Sequence, residues 1–173
     1  MSAIPAAQTA QPVTTSRPGV LVAAVGVAVV TALAAIVNGV LIATGGKELV
    51  KDLLVQAGLP EVSDSDLELF STLAGYTSTD DFVSTFTTRG YLAAGAGAAL
   101  LVFGLLMLKA GKAARVLVTV SAAFTMIFSV VILADETTTT MAGLAMLAIL
   151  GAILAIVFTW LPAIGRYAKA ARA

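Results

Sequence analysis

The chain has 173 residues, of which 59% are hydrophobic and 12% charged, and its mean hydropathy of +1.00 excludes an ordinary soluble domain and indicates a protein embedded in lipid. Ten basic and ten acidic residues cancel, so no basic field indicates nucleic acid as a partner. Cysteine and histidine are absent, which excludes disulfides, thiolate nucleophiles and the metal or haem sites that depend on these side chains.

The apolar residues fall into four uncharged blocks, which predict an all-α integral membrane protein, a four-helix bundle. Residues 1–18 are rich in Ala, Pro, Ser and Thr without periodicity, which predicts a disordered cytoplasmic tail. Residues 19–162 are expected to form the transmembrane domain, since each block nears the about 20 residues that cross a bilayer. The predicted spans are about residues 19–44, 90–108, 116–134 and 141–161, followed by a basic tail at 163–173.

The charged residues are sorted by side. Every acidic residue lies in the loop at residues 45–89 or at Asp135 and Glu136. In the two tails and in the loop between the second and third spans, every charged residue is basic. These residues are Arg17, Lys109, Lys112, Arg115, Arg166, Lys169 and Arg172. The positive-inside rule then predicts a multi-pass plasma-membrane protein with both termini in the cytoplasm.

The outer loop at residues 45–89 carries amphipathic patterns of its own. Short helices are predicted at residues 49–57, from Ser63 or Asp64 to Gly75, and from a cap at Thr79. The apolar side of the second helix is expected to comprise Leu67, Phe70 and Leu73. The loop is therefore predicted to form a small helical extracytoplasmic cap between the first and second membrane helices.

Small residues recur within the spans at spacings that allow helices to approach closely. The second span carries Gly95, Gly97 and Gly104, and the fourth carries Ala148 and Ala152. Packing drives helix association in lipid, and small residues permit it. These residues are predicted either to pack the bundle internally or to form a face for self-association or for docking on a larger membrane complex.

Polar side chains within the spans are few. Asn38 lies in the first span, while Ser121, Thr125 and Ser129 form a stripe on the third. Serine and threonine hydroxyls can bond to the carbonyl one turn back, and Asn38 is expected to hydrogen-bond across to this stripe. A ligand or ion path would use the same residues, but such paths usually contain an ionisable group.

No set of catalytic side chains is recognisable. The chain has no Gly-x-Ser-x-Gly elbow, no Ser-x-x-Lys motif and no histidine base. The acidic residues of the outer loop, such as Asp64, Asp66 and Glu68, could hold a cation, but they lack EF-hand spacing, and helix capping accounts for them equally well. We expect no enzyme activity, no cofactor and no metal.

Two short motifs carry a family resemblance. Arg17-Pro18-Gly19 leads into the first span, and Gly111-Lys112-Ala113-Ala114-Arg115 joins the second span to the third. With the polar outer loop and the Ala/Val/Gly/Thr-rich composition, the chain resembles a class of small four-helix membrane proteins of high-GC actinobacteria. The resemblance implies the fold and a cell-membrane location, and it carries no site residues. Ala113-Ala114 departs from that class, which often has an aromatic residue before the arginine.

The sequence therefore favours a non-enzymatic accessory or scaffold subunit. It is expected to contact the lipid bilayer and to pack against a larger cell-envelope or respiratory complex. The alternative is a small channel, a transporter component or a homo-oligomeric pore.

Overall fold

The computed structural model describes residues 19–109, 111–135 and 137–170, with side chains up to residue 167. It contains six α-helices and a single 3₁₀ turn at Met107–Lys109 in these ranges. The helices are α1 (Gly19–Gln56), α2 (Asp64–Leu73), α3 (Thr79–Leu106), α4 (Lys112–Ala134), α5 (Thr139–Thr159) and α6 (Pro162–Ala170). The predicted all-α four-helix bundle is confirmed, while the tail predicted at residues 1–18 lies outside the described residues.

The four long helices form a closed ring. Helix α1 packs on α3 and α5, and α4 packs on the same two helices from the other side, so α1 and α4 lie diagonally opposite. The core between them contains fully buried Leu21, Leu100 and Val118 together with many alanines. Large apolar side chains such as Val22, Leu150 and Phe124 point outward and are about half exposed, as expected where lipid is the solvent.

Helix α1 extends beyond the predicted first span. Its one non-helical residue is Gly46, at φ 55° and ψ −145°, a conformation that side chains disfavour and glycine tolerates. Beyond this break the helix continues to Gln56 and buries Leu49, Val50 and Leu53. The first short helix predicted for the outer loop is therefore the continuation of α1.

Helix α2 begins where a capping pattern occurs in the sequence. Ser63 is the N-cap: its hydroxyl accepts the Asp66 N–H, and the Asp66 carboxylate accepts the Ser63 N–H, which forms a capping box. Leu67 is fully buried, but Leu73 is 74% exposed. The prediction that Leu73 shares the apolar side of this helix is wrong, because the helix presents this position to solvent.

Helix α3 differs most from expectation. A separate short helix from Thr79 was predicted, whereas the structure has one helix from Thr79 through the second span to Leu106. The N-cap is Ser78, whose hydroxyl accepts the N–H of Asp81, so Thr79 is the first helical residue. Nothing ends the helix at Gly90, because this glycine is packed against α1.

Residues predicted as a basic tail contain the short helix α6. It follows Trp160 and buries Ile164 completely against the end of the bundle. Arg166 is exposed on the same helix. The helix is thus amphipathic and seals the end of the bundle opposite the outer cap.

Candidate functional site

Four glycines form the contact between α1 and α3, and we call them the glycine seam: Gly39, Gly90, Gly97 and Gly104. A Cβ on Gly39 would lie 2.6 Å from the Gly90 carbonyl oxygen, and a Cβ on Gly90 would lie 2.6 Å from the Ala43 backbone nitrogen. At Gly97 a Cβ would lie 3.0 Å from the Ala32 carbonyl oxygen. The two backbones are therefore in direct contact, as small residues permit in membranes.

The seam includes residues that sequence reasoning did not single out. Gly97 and Gly104 are predicted packing residues, and the structure packs both against α1. Gly39 and Gly90 were missed. The signal for Gly90 is its spacing, because Gly90, Gly97 and Gly104 recur every seven residues and so face one side of a helix.

Helix α5 meets α1 through its own small residues. Ala148 and Ala152 are fully buried, and Ala148 packs with Ala34 and Ala35 of α1. Between them Gly151 faces the Thr31 side chain so closely that a Cβ could not be accommodated there. The predicted packing residues of the fourth span thus lie inside the bundle.

Asn38 is almost fully buried, at 1% exposure. Its Nδ2 donates to the Met141 carbonyl oxygen of α5 at 3.3 Å, and its Oδ1 has no hydrogen-bond partner among the described residues. The predicted bond from Asn38 to the polar stripe of α4 is wrong. The reason is the ring order, since α4 lies diagonally opposite α1 and α5 lies beside it.

The polar stripe of α4 is buried. Ser121, Thr125 and Ser129 are each at most 5% exposed. Ser121 donates to the Leu117 carbonyl oxygen one turn back at 2.8 Å, while Thr125 Oγ1 has no partner among the described residues. Ser121 thus makes the hydrogen bond to its own helix backbone that is expected of a hydroxyl in an apolar helix.

An open groove runs between α3 and α4 on the outside of the bundle, and we call it the α3/α4 groove. It is lined by Tyr91, Leu92, Gly95, Ala96, Ala99, Ser121, Phe124 and Phe128. Gly95 is one of these lining residues and differs from the seam glycines, because a Cβ there would meet no atom within 4 Å. The predicted packing residue Gly95 therefore packs against no other segment of residues 19–109, 111–135 and 137–170.

The end of the bundle that carries α2 encloses a small cavity of about 20 Å³. Its apolar wall includes Ile42, Phe86 and Met141. Its polar rim is the ion pair of Arg89 with Asp135, at 2.7 Å. The space holds about one water molecule, which is too small for a solute.

Ion pairs and the capping box of α2 stabilise the region of residues 45–89. Lys51 of α1 donates to Asp64 of α2 at 2.6 Å, and this hydrogen bond, with the lysine charge, lowers the pKa of Asp64 below 3.8. The Ser63 hydroxyl donates to Asp66 at 2.6 Å and, with the Ser63 N–H, lowers the pKa of Asp66. These carboxylates are thus engaged in joining and capping helices.

Four of the described helices are long and apolar enough to cross a membrane: α1, α3 with its terminal turn, α4 and α5. Their outward faces carry exposed apolar side chains. The chain is therefore a multi-pass membrane protein. No family model, no curated protein and no solved structure matches it.

Proposed function

We propose that this chain is a non-enzymatic accessory subunit that packs against a larger envelope or respiratory complex of the plasma membrane. The observation that carries the proposal is the α3/α4 groove. It is lined on the α3 side by Gly95, Ala96 and Ala99 and on the α4 side by Phe124 and Phe128. Small residues at membrane depth allow a foreign helix to approach the backbone, and no segment among the described residues fills this space.

The contrast with the glycine seam supports this assignment. At Gly39 and Gly97 the missing side chains let α1 and α3 approach each other, whereas at Gly95 the missing side chain leaves open space on an exposed surface. A glycine within a helix is less favourable than alanine by about 1 kcal/mol. A helix of another protein seated on Gly95 offsets that cost through close packing.

The non-enzymatic role is supported by where the ionisable groups lie. The four apolar blocks contain no charged residue. In the outer cap, Asp64 and Asp66 take part in an ion pair and a capping box. Each shifted pKa in that cap is thus explained by an interaction that stabilises the fold.

A pore through a single copy has less support. Leu21, Leu100 and Val118 are fully buried and fill the centre of the ring, and the small cavity at the end that carries α2 holds about one water molecule. A homo-oligomer would use the α3/α4 groove between copies, and it is one outcome of the experiment that follows.

The experiment is copurification of the tagged chain after mild detergent extraction from its native membrane. We expect a stoichiometric larger partner that is lost in Gly95→Leu, because a leucine fills the groove. Gly26→Leu is the matched control, since Gly26 is also an exposed helical glycine with no atom within 4 Å of a Cβ. A chain that emerges alone, or as a ring of identical copies, contradicts the accessory role.

A further inference from the structure

Arg115 has buried hydrogen-bond donors that nothing in the described chain satisfies. It lies in the first turns of α4, with its guanidinium against α6, where a Cβ on Gly165 would be 3.9 Å from Nη1. Nε and Nη2 are sealed from solvent and have no hydrogen-bond partner among the described residues. Guanidinium carries donors only and stays charged, so burying it without an acceptor is costly.

No acidic side chain of the protein is placed to pair with Arg115. All acidic residues lie between Glu48 and Asp81 or at Asp135 and Glu136. Asp135 ends α4, twenty residues after Arg115, which is about 30 Å along a helix. The four ion pairs of the described residues all lie at that far end. The side chain that neutralises Arg115 therefore does not come from this sequence.

The surroundings of Arg115 attract an anion. Lys109, Lys112 and Arg166 are exposed at the same end of the bundle. The N-cap of α4 is Gly111, which provides no side-chain acceptor to the first N–H groups, and these groups carry partial positive charge. Positive charge and unsatisfied donors thus coincide at one end of a membrane bundle.

Trp160 indicates the depth of this site in the membrane. Trp160 Nε1 donates to the Thr119 hydroxyl at 3.0 Å, and Thr119 in turn donates to the Arg115 carbonyl oxygen at 2.9 Å. Trp160 is itself 57% exposed on the outside of the bundle. Tryptophan prefers the boundary between lipid tails and water, which places Arg115 at the depth of lipid headgroups.

We propose that Arg115, with Lys112 and Arg166, binds the phosphodiester group of an anionic phospholipid. Guanidinium matches phosphate in geometry and charge, and basic pockets between membrane helices hold acidic headgroups. Arg115 is half-buried as a whole, so the phosphate pairs with the guanidinium edge that reaches the surface and neutralises its charge, while Nε and Nη2 stay sealed. The lipid tails lie along the exposed apolar side chains of the bundle. The site requires only that lipid surrounds this end, whichever leaflet that is.

The test uses Trp160, which is the only tryptophan in the chain. The full-length protein is reconstituted into phosphatidylcholine vesicles with a fraction of brominated phosphatidylglycerol or brominated phosphatidylcholine, and quenching of Trp160 is measured. Salt is held at about 1 M, where the Debye length is about 3 Å and general surface attraction is screened. We expect phosphatidylglycerol to be preferred over phosphatidylcholine by about tenfold, as charge-assisted bonds persist in salt.

The variants separate a site from a general basic surface. Arg115→Gln should abolish the preference, whereas Lys109→Gln removes an equal charge from an exposed side chain at the same end of the bundle and should reduce it less than twofold at this salt. Arg115→Lys keeps the charge and should retain part of the preference for phosphatidylglycerol. This variant and circular dichroism together control for misfolding. Equal quenching by the two brominated lipids, or an Arg115→Gln variant that keeps the preference, overturns the proposal.

Two further arms identify the source of the anion. Inorganic phosphate at about 50 mM should leave the lipid preference unchanged; its abolition indicates a site for free phosphate and contradicts the proposal. A variant with several neutral residues added after Ala173 tests pairing of Arg115 with the terminal carboxylate. If the preference appears only in that extended variant, the carboxylate holds Arg115 in the parent and the proposal fails.

Discussion

Gly39 of α1 and Gly90 of α3 face each other across a close contact between two membrane helices. A Cβ on either glycine would lie 2.6 or 2.7 Å from the carbonyl oxygen of the other, which is shorter than any ordinary contact. The absent side chains therefore allow the two backbones to touch. This pair lies in the interface of α1 with α3, which is the most extensive of the ring.

The first prediction concerns this pair. Gly39→Ala should destabilise the detergent-solubilised protein by about 1–3 kcal/mol, because the added methyl group overpacks against backbone atoms. Gly26→Ala is the matched control and should be neutral or slightly stabilising, since its Cβ meets nothing and alanine favours helix. Thermal unfolding followed by circular dichroism measures both. If the two variants unfold at the same temperature, the close contact is absent in solution.

The sequence predicts the helices better than their partners. The four spans follow from length and apolar composition, because in lipid a helix must satisfy its backbone alone. The neighbours of each helix depend on side chains that are missing, as at Gly39, and on the ring order. The sequence therefore predicts a hydrogen bond from Asn38 to the stripe with Ser121 and Thr125, although α5 is the helix to which Asn38 donates.

For the candidate sites too, the sequence predicts some residues but not their surroundings. Gly97, Ala148 and Ala152 could be predicted as packing residues from spacing, but spacing does not show that Gly95 points outward. In the sequence, Arg115 is one of several basic residues that indicate only the orientation of the bundle in the membrane. Only the placement of α6 beside Arg115 shows that two of its nitrogens are sealed and have no hydrogen-bond partner within the part of the chain that the structure describes.

The second prediction concerns the capping box of α2. The pKa of Asp66 is below its ordinary value of 3.8 because Ser63 donates two hydrogen bonds to the carboxylate. A lowered folded-state pKa stabilises α2 above the unfolded value, and this stabilisation is lost as the pH falls through the folded value. Amide hydrogen exchange in α2, corrected for intrinsic rate, should therefore accelerate only below about pH 4.

Variants assign that effect to one carboxylate. Asp66→Asn should show the fast exchange already at neutral pH and little further change on acidification. Glu68→Gln removes another carboxylate of α2, one whose side chain makes no hydrogen bond within the described residues, and should behave as the parent. An unchanged exchange profile in Asp66→Asn would show that the capping box does not hold the helix.

The third prediction concerns orientation, which the sorting of charges implies. The chain has no cysteine, so single cysteines report cleanly. Leu73→Cys is the outer reporter because Leu73 is 74% exposed, and Ala113→Cys is the inner one because Ala113 is exposed at the start of α4. An impermeant thiol reagent on intact cells should label only Leu73→Cys. Labelling of Ala113→Cys before lysis reverses the topology.

The fourth prediction separates the accessory subunit from the pore and uses Asn38. Its single hydrogen bond to the Met141 carbonyl oxygen ties α1 to α5, and such bonds in membranes average about 0.6 kcal/mol. Asn38→Leu should therefore lower stability only slightly and leave copurification with a partner intact. The purified parent in liposomes should show no ion or small-solute flux above empty vesicles. If the parent conducts and Asn38→Leu does not, a leucine has dried a conducting path, and the pore replaces the accessory subunit as the function.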